Sequence, residues 1–220
     1  MDIIVGGGKY GCYAAEFLKE KGRSFVVVDI DPNCLVASRL GLRASSEVGS
    51  RGAYFKLGDL ETVLNILENL DVEFMFPTVP THLAADLAGL KFGLEPWAGG
   101  IDSMLPRLPQ AVVLQAGKGK LVVSFNRDNS CMDKCAMPDV CPSSGVRKPC
   151  KMTDLVSYAS PDAFMLLSHS MAPGLGALKG AELAQFFVWA EKKEKFVVAT
   201  ACDCHGVVTA FQKRKSRAKA

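Results

Sequence analysis

Two short apolar runs, Ile3-Ile4-Val5 and residues 25–28, enclose the stretch Gly6-Gly7-Gly8-Lys9-Tyr10-Gly11 and a set of helix-spaced apolar residues. These glycines constrain the chain more than any other feature. In a strand–loop–helix unit of this pattern, the first glycine permits a tight turn and the second lets backbone approach a pyrophosphate. The third lets the helix lie close against the strand. A helix that starts there presents N–H groups and a partial positive charge to a phosphate. Tyr10, Ala14, Phe17 and Leu18 recur at helical spacing, and Gly22 supplies a stop. The second apolar run ends in Asp29, 18 positions after Gly11. That is close to the separation of about 20 at which a carboxylate reaches ribose hydroxyls.

The unit resembles the opening of a dinucleotide-binding Rossmann domain. That resemblance implies NAD, or a related adenine nucleotide, bound by Gly6, Gly8, Lys9, Tyr10, Gly11 and Asp29. It also implies a preference for NAD over NADP, because a carboxylate at Asp29 repels a 2′-phosphate. Arg39 and Arg43 are the nearby side chains able to accommodate one.

Downstream, residues 33–40 read as a short helix stopped by Gly41, 53–57 as a strand, 60–70 as a helix, 72–76 as a strand, and 81–90 as a helix capped by Thr81. Alternating strands and helices give a parallel sheet with right-handed crossovers. With Gly58-Asp59 closing the third strand, residues 1–90 are similar to the TrkA-N (RCK) nucleotide-binding domain of potassium-transport regulators. The resemblance adds Asp59 to the nucleotide residues. Pro77 and Pro80 depart from that pattern, and nothing beyond residue 90 resembles an RCK C-terminal domain. The Gly-Gly-Gly-Lys opening also resembles the precorrin-2 dehydrogenase and siroheme synthase family, over the loop alone.

Residues 91–110, rich in glycine and proline, read as a connection. They place one domain at 1–105, a smaller α/β domain at 106–212, and a basic, disordered tail at 213–220. In the second domain, 111–115 and 120–125 read as a hairpin about Gly117-Lys118-Gly119. Residues 163–167, 196–200 and 207–211 read as strands, and 178–192 as a helix. The glycine-rich run at 173–180, after Ser168-His169-Ser170, reads as a loop able to cradle an anion.

Cys131, Cys135, Cys141 and Cys150 punctuate a segment nearly free of large apolar residues. Hydrophobic burial cannot order such a segment. Four thiolates meet the ligand count of a structural zinc or an iron–sulfur cluster, although spacings of three, five and eight residues match no standard run. A second group, Cys202-Asp203-Cys204-His205, follows a strand, where ligands gather in open α/β sheets. If this group is extended, Cys202 and Cys204 share one face and His205 takes the other. Cys202, Cys204 and His205 are thus candidates both for that metal centre and for catalysis, and His82 at a helix start is a further candidate for catalysis alone. Cys12 and Cys34 read as packing residues.

Charge argues against a nucleic-acid partner. Lys213, Arg214, Lys215, Arg217 and Lys219 lie in the last eight residues, and setting these five aside turns the formal +3 into −2. The chain opens directly on strand residues with no secretory pattern and has no membrane-spanning run, which predicts a soluble, cytoplasmic protein with reduced thiols. The expected fold class is α/β: a Rossmann-like parallel sheet followed by a smaller α/β domain carrying a cysteine-rich metal loop. The expected function is that of an NAD-binding, zinc- or iron–sulfur-containing oxidoreductase acting with a small-molecule or protein redox partner, a reading compatible with a homodimer. The alternatives are an RCK-like nucleotide sensor with a structural metal and a precorrin-2 dehydrogenase-like enzyme.

Overall fold

The computed structural model describes residues 1–214 as a mixed α/β chain in two compact units. The first comprises residues 1–83 and 169–184; the second comprises residues 84–168 and the chain from 185 onward. The boundary therefore falls at Leu83/Ala84 instead of 105/106, and the second unit is the longer one.

Along the chain, β1 (Asp2–Val5), α1 (Lys9–Glu20), β2 (Phe25–Asp29), α2 (Leu35–Leu40), β3 (Ala53–Leu57), α3 (Leu60–Asn69) and β4 (Phe74–Pro77) build the first unit. The second unit follows with α4 (Leu83–Phe92), β5 (Leu94–Pro96), α5 (Ala98–Asp102), β6 (Val113–Gly117), β7 (Lys120–Ser124), α6 (Met152–Ala159) and β8 (Phe164–Leu167). The chain then returns to the first unit through β9 (His169–Ala172) and β10 (Leu175–Lys179). It leaves within α7 (Gly180–Glu191) and ends on β11 (Lys195–Ala201) and β12 (His205–Lys213). No helix among the described residues is long and apolar enough to cross a membrane.

The first sheet runs β3-β2-β1-β4-β10-β9. Its first four strands are parallel, in the order of a doubly wound nucleotide-binding half, and β10 and β9 extend it antiparallel. β1 is central and buried along its whole length, which explains why its residues read as a continuous apolar run. Helix α1 packs Ala14, Ala15 and Leu18 into a core with Ile4, Phe25, Val27, Phe55 and Phe76. It ends in a Schellman turn: Gly22 takes φ +66°, its N–H reaches the Lys19 carbonyl, and the Arg23 N–H reaches that of Leu18.

The second sheet runs β6-β7-β12-β11-β8, with β5 paired to β12. Leu94–Pro96 and α5 are thus ordered parts of this unit, not a connection, because Pro96, Glu95 and Leu94 pair with Phe211, Gln212 and Lys213. The β6–β7 turn has positive φ at both Lys118 and Gly119, as a type I′ turn requires. The run at 173–180 forms no anion-binding loop: Leu175–Lys179 is strand β10, whose ladder with β9 uses its backbone groups. Lys213 closes β12 and pairs with Glu194 at 3.1 Å, so the described chain stays ordered past residue 212. Lys215, Arg217 and Lys219 of the expected tail lie outside the described residues.

Candidate functional site

In the first unit, the loop after β1 sits at the carboxyl edge of the parallel strands, where the order reverses between β1 and β4. Gly6 takes φ +107°, and its N–H donates to the Val28 carbonyl. A side chain on Gly11 would place Cβ 2.0 Å from the Gly6 carbonyl oxygen, so the helix can approach the turn only with glycine there. Gly7, a variable position in the motif, is equally confined: a Cβ would lie 2.3 Å from Cys34 Sγ. Gly8 differs, since nothing lies within 4 Å of its would-be Cβ. Gly8 also caps α1 with no side-chain hydrogen bond, and Lys9 and Tyr10 are exposed beside it. The start of α1 therefore opens to solvent.

The Asp29 carboxylate accepts the Gly7 N–H on one oxygen and the Asp31 N–H on the other. A carboxylate offers about four lone-pair sites. Fixing the loop therefore leaves acceptor capacity for further hydroxyls. Thr78, which sequence reasoning passed over, places its hydroxyl 2.9 and 2.8 Å from the Val5 and Gly6 carbonyl oxygens and clamps β4 to the loop. Gly58 and Asp59 act locally. A Cβ on Gly58 would meet Thr62 Oγ1 at 2.1 Å, and Asp59 caps α3 by accepting the Glu61 and Thr62 N–H groups. His82 is only 3% exposed, and Cys12 and Cys34 are buried, with thiols pushed up by burial.

In the second unit, the cysteine groups meet. The 202–205 stretch is a tight turn, not an extended run, because the Cys202 N–H donates to the His205 carbonyl across the β11–β12 hairpin. This turn folds His205 back over Cys202, placing Nδ1 3.6 Å from Cys202 Sγ. The other ring nitrogen, Nε2, lies 3.2 Å from Cys131 Sγ. Phe125 N–H donates to the Cys204 carbonyl and Met152 N–H to that of Asp203, so β7 and α6 both hold the turn. Asn126, 5% exposed, donates from Nδ2 to Cys131 Sγ at 3.3 Å, and its Oδ1 is buried without a partner among the described residues.

The cysteine segment is ordered by polar contacts. Lys148 Nζ donates to the Met137 carbonyl at 2.8 Å and lies 3.6 Å from Cys204 Sγ. Met137 N–H points at Cys135 Sγ, and Cys204 N–H at Cys202 Sγ. Lys134 and Met137 both have positive φ, a conformation that costs a non-glycine residue roughly 1–2 kcal/mol. The Ser144 hydroxyl and the Ser143 and Ser144 N–H groups hold the Cys141 thiol below its ordinary value. Burial pushes the Cys204 thiol up, against the pull of Lys148. Cys150 is exposed and lines a separate cavity. Among the described residues, no three His, Cys, Asp or Glu side chains are gathered into a ready cage for an ion; Cys131 and Cys202 lie against opposite nitrogens of His205.

The class defined by these features is a two-unit α/β protein with an open glycine loop in one unit and a thiol–imidazole group in the other. A family model described as "Uncharacterized protein, N-terminal domain" matches residues 1–83, and one described as "Uncharacterized protein, C-terminal domain" matches 87–214. A protein of Archaeoglobus fulgidus, described as "Uncharacterized protein", is 49% identical over 215 residues, covering 97% of this chain and 100% of that protein. The chain belongs to this family. No solved structure matches it.

Proposed function

We propose that the protein is an NAD-binding redox protein whose second unit holds a zinc ion or an iron–sulfur centre on thiolates. The observation that carries the nucleotide part is the uncapped start of α1, with open space over Gly8 and Asp29 fixed alongside. In this reading the N–H groups of the first turn receive the pyrophosphate, and the spare Asp29 lone pairs take the ribose hydroxyls.

The donor chemistry of the second unit fits a soft cation. Bonds of about 2.3 Å to sulfur and 2.05 Å to nitrogen at a tetrahedral angle put the two ligand atoms roughly 3.6 Å apart. Cys202 Sγ and His205 Nδ1 already have that separation. Cys135, Cys202, Cys204 and His205 would hold the metal, with Cys141 as a further donor, while Cys131, against the opposite nitrogen Nε2, would orient the His205 ring. When bound, an iron–sulfur centre would exchange single electrons, whereas zinc would serve to hold the segment. Asn126 Nδ2 directs a hydrogen bond at Cys131, and Lys148 supplies positive charge beside Cys204. The reduced thiols suit a cytoplasmic setting.

A second reading, nucleotide sensing with a purely structural metal, draws on the β3-β2-β1-β4 order and the Gly58-Asp59 closure of β3 shared with the TrkA-N pattern. Metal analysis, a visible spectrum and NADH titration of anaerobically purified protein separate the two. Absorbance bleached by NADH supports the redox reading. Tight nucleotide binding to a colourless protein without turnover supports the sensor, and no binding of NAD, NADP or adenine nucleotides removes both.

A further inference from the structure

We propose that the second unit also binds a small organic carboxylate with an apolar body, in the cavity of about 520 Å³ that Cys150 lines. This site lies outside the glycine loop and none of its lining residues is Cys202, Cys204 or His205, although Phe125 and Ser144 tie its walls to that group. Its volume is within the roughly 300–1,000 Å³ typical of small-molecule pockets, and like them its walls are mostly apolar with a few polar groups. Val112, Phe125 and Leu155 supply much of the apolar wall, and Arg127 and Ser144 are among the polar groups.

These walls are anchored. Val112 and Phe125 are core residues of the second unit, the Phe125 N–H is tied to the Cys204 carbonyl, and Leu155 lies on α6. Ser144 is fixed through its hydrogen bond to the Cys141 thiol.

Arg127 selects the ligand's charged end. Its Nη1 reaches the Gln110 carbonyl at 3.3 Å, and its Nε lies 3.6 Å from Asp128 Oδ1. A guanidinium has five N–H donors, so most remain for a planar carboxylate, which it grips with two parallel bonds. Asp128 also lines the cavity, but its side chain is well exposed and forms only a solvent-screened pair of little strength with Arg127, from which it can swing to water when a carboxylate binds. A single guanidinium beside one carboxylate favours a monoanion over a phosphate dianion. The apolar walls favour a hydrocarbon body over a sugar.

Calorimetry on the full chain with octanoate, octanol and octyl phosphate tests this. Octanoate should bind saturably, and both octanol and the Arg127→Met variant should show affinity about tenfold lower, the effect of losing a charged hydrogen bond. Val112→Trp fills the cavity and should abolish binding. Ala111→Trp, at an exposed rim position, should weaken it in a variant whose folding is not at stake. Bound octanoate should also slow alkylation of Cys150 by iodoacetamide, read by mass spectrometry. Tighter binding of octyl phosphate overturns the carboxylate assignment. No octanoate binding, or affinity unchanged in Ala111→Trp and Arg127→Met, overturns the site. The cavity shares the 126–151 segment with the proposed metal ligands, so metal content is measured on the same samples: failure of octanoate to bind protein with its metal in place leaves the redox reading standing, and octanoate binding by metal-free protein leaves this one.

Discussion

The glycine loop and the cysteine segment are ordered by opposite means. Residues 6–11 are held by the absence of side chains: backbone meets backbone at Gly11 and Gly6, and sulfur meets backbone at Gly7. Residues 126–151 contain one glycine, Gly145, whose would-be Cβ touches nothing. They are held by Lys148, by the small ladder linking Val140 to Arg147, and by hydrogen bonds to sulfur. Shape specifies the first region. Polar and sulfur chemistry specifies the second, and two residues there, Lys134 and Met137, hold strained conformations that those contacts must offset. The two regions should therefore fail in different ways.

The largest effect belongs to Gly11→Ala. Its methyl group would lie 2.0 Å from a carbonyl oxygen that cannot rotate away, so α1 must shift off the sheet. Urea unfolding should show a loss of at least about 3 kcal/mol, the upper range for overpacking. A variant as stable as the wild type would remove shape as the organising factor of the loop.

Cys135→Ser and Cys202→Ser probe the other region. Under the metal reading, each should reduce metal affinity by about tenfold or more, because binding energy is folding energy in such a segment. Hydrogen exchange should quicken across residues 126–151 and stay unchanged in residues 6–11. Full metal occupancy in both variants would defeat the proposed ligand set, and an unchanged exchange pattern would show that the segment is ordered without it.

The same contrast explains how much was legible in sequence. The first unit's strands and helices follow from periodicity, and β3 falls on the residues that apolar pattern and flanking glycines mark out. The return of β9 and β10 to the first sheet was not legible. Gly174 and Gly176 resemble a loop locally, and pairing with β9 on one side and with β4 on the other, Leu178 against Met75, makes that stretch a strand. The burial of His82 and the role of Thr78 as a clamp are also tertiary facts with no local signal. In the second unit, the chemistry-bearing residues could be named but their pairing could not. The His205–Cys131 contact spans 74 positions, and the turn that aims His205 at Cys202 reverses the face assignment of an extended chain. Cys150 had the same apparent standing as Cys131 in sequence, yet lines a cavity whose walls do not include Cys131.

A cleaner cut at the nucleotide reading comes from Gly8→Val. No atom lies within 4 Å of the would-be Cβ, so the fold should lose only about 1 kcal/mol for a poorer N-cap. NAD binding should nonetheless disappear in calorimetry, because the new side chain occupies the path of the pyrophosphate. Asp29→Asn keeps an acceptor for the Gly7 N–H but removes the charge, and should weaken NAD by about 1–3 kcal/mol. Unaltered NAD affinity in Gly8→Val would place the nucleotide elsewhere or nowhere.

The smallest effect tests whether surface charge adds to the shape-specified unit at all. Arg23 forms a forked pair with the buried Asp2 carboxylate and also reaches Glu73 Oε2 at 2.7 Å on the exposed side. The Arg23 hydrogen bond holds the Glu73 carboxyl below the ordinary carboxylate range. A carboxylate with a lowered folded pKa contributes stability that is complete above its unfolded value and is lost as pH falls through the folded one. Glu73→Gln should thus cost no more than about 0.5–1 kcal/mol at neutral pH, as expected for an exposed pair. The gap should narrow in high salt and close in acid, where the wild-type glutamate is itself neutral. Unfolding curves across pH for the two proteins decide the point. A gap that persists below the lowered pKa would mean that Glu73 acts through packing on Arg23 and not through its charge.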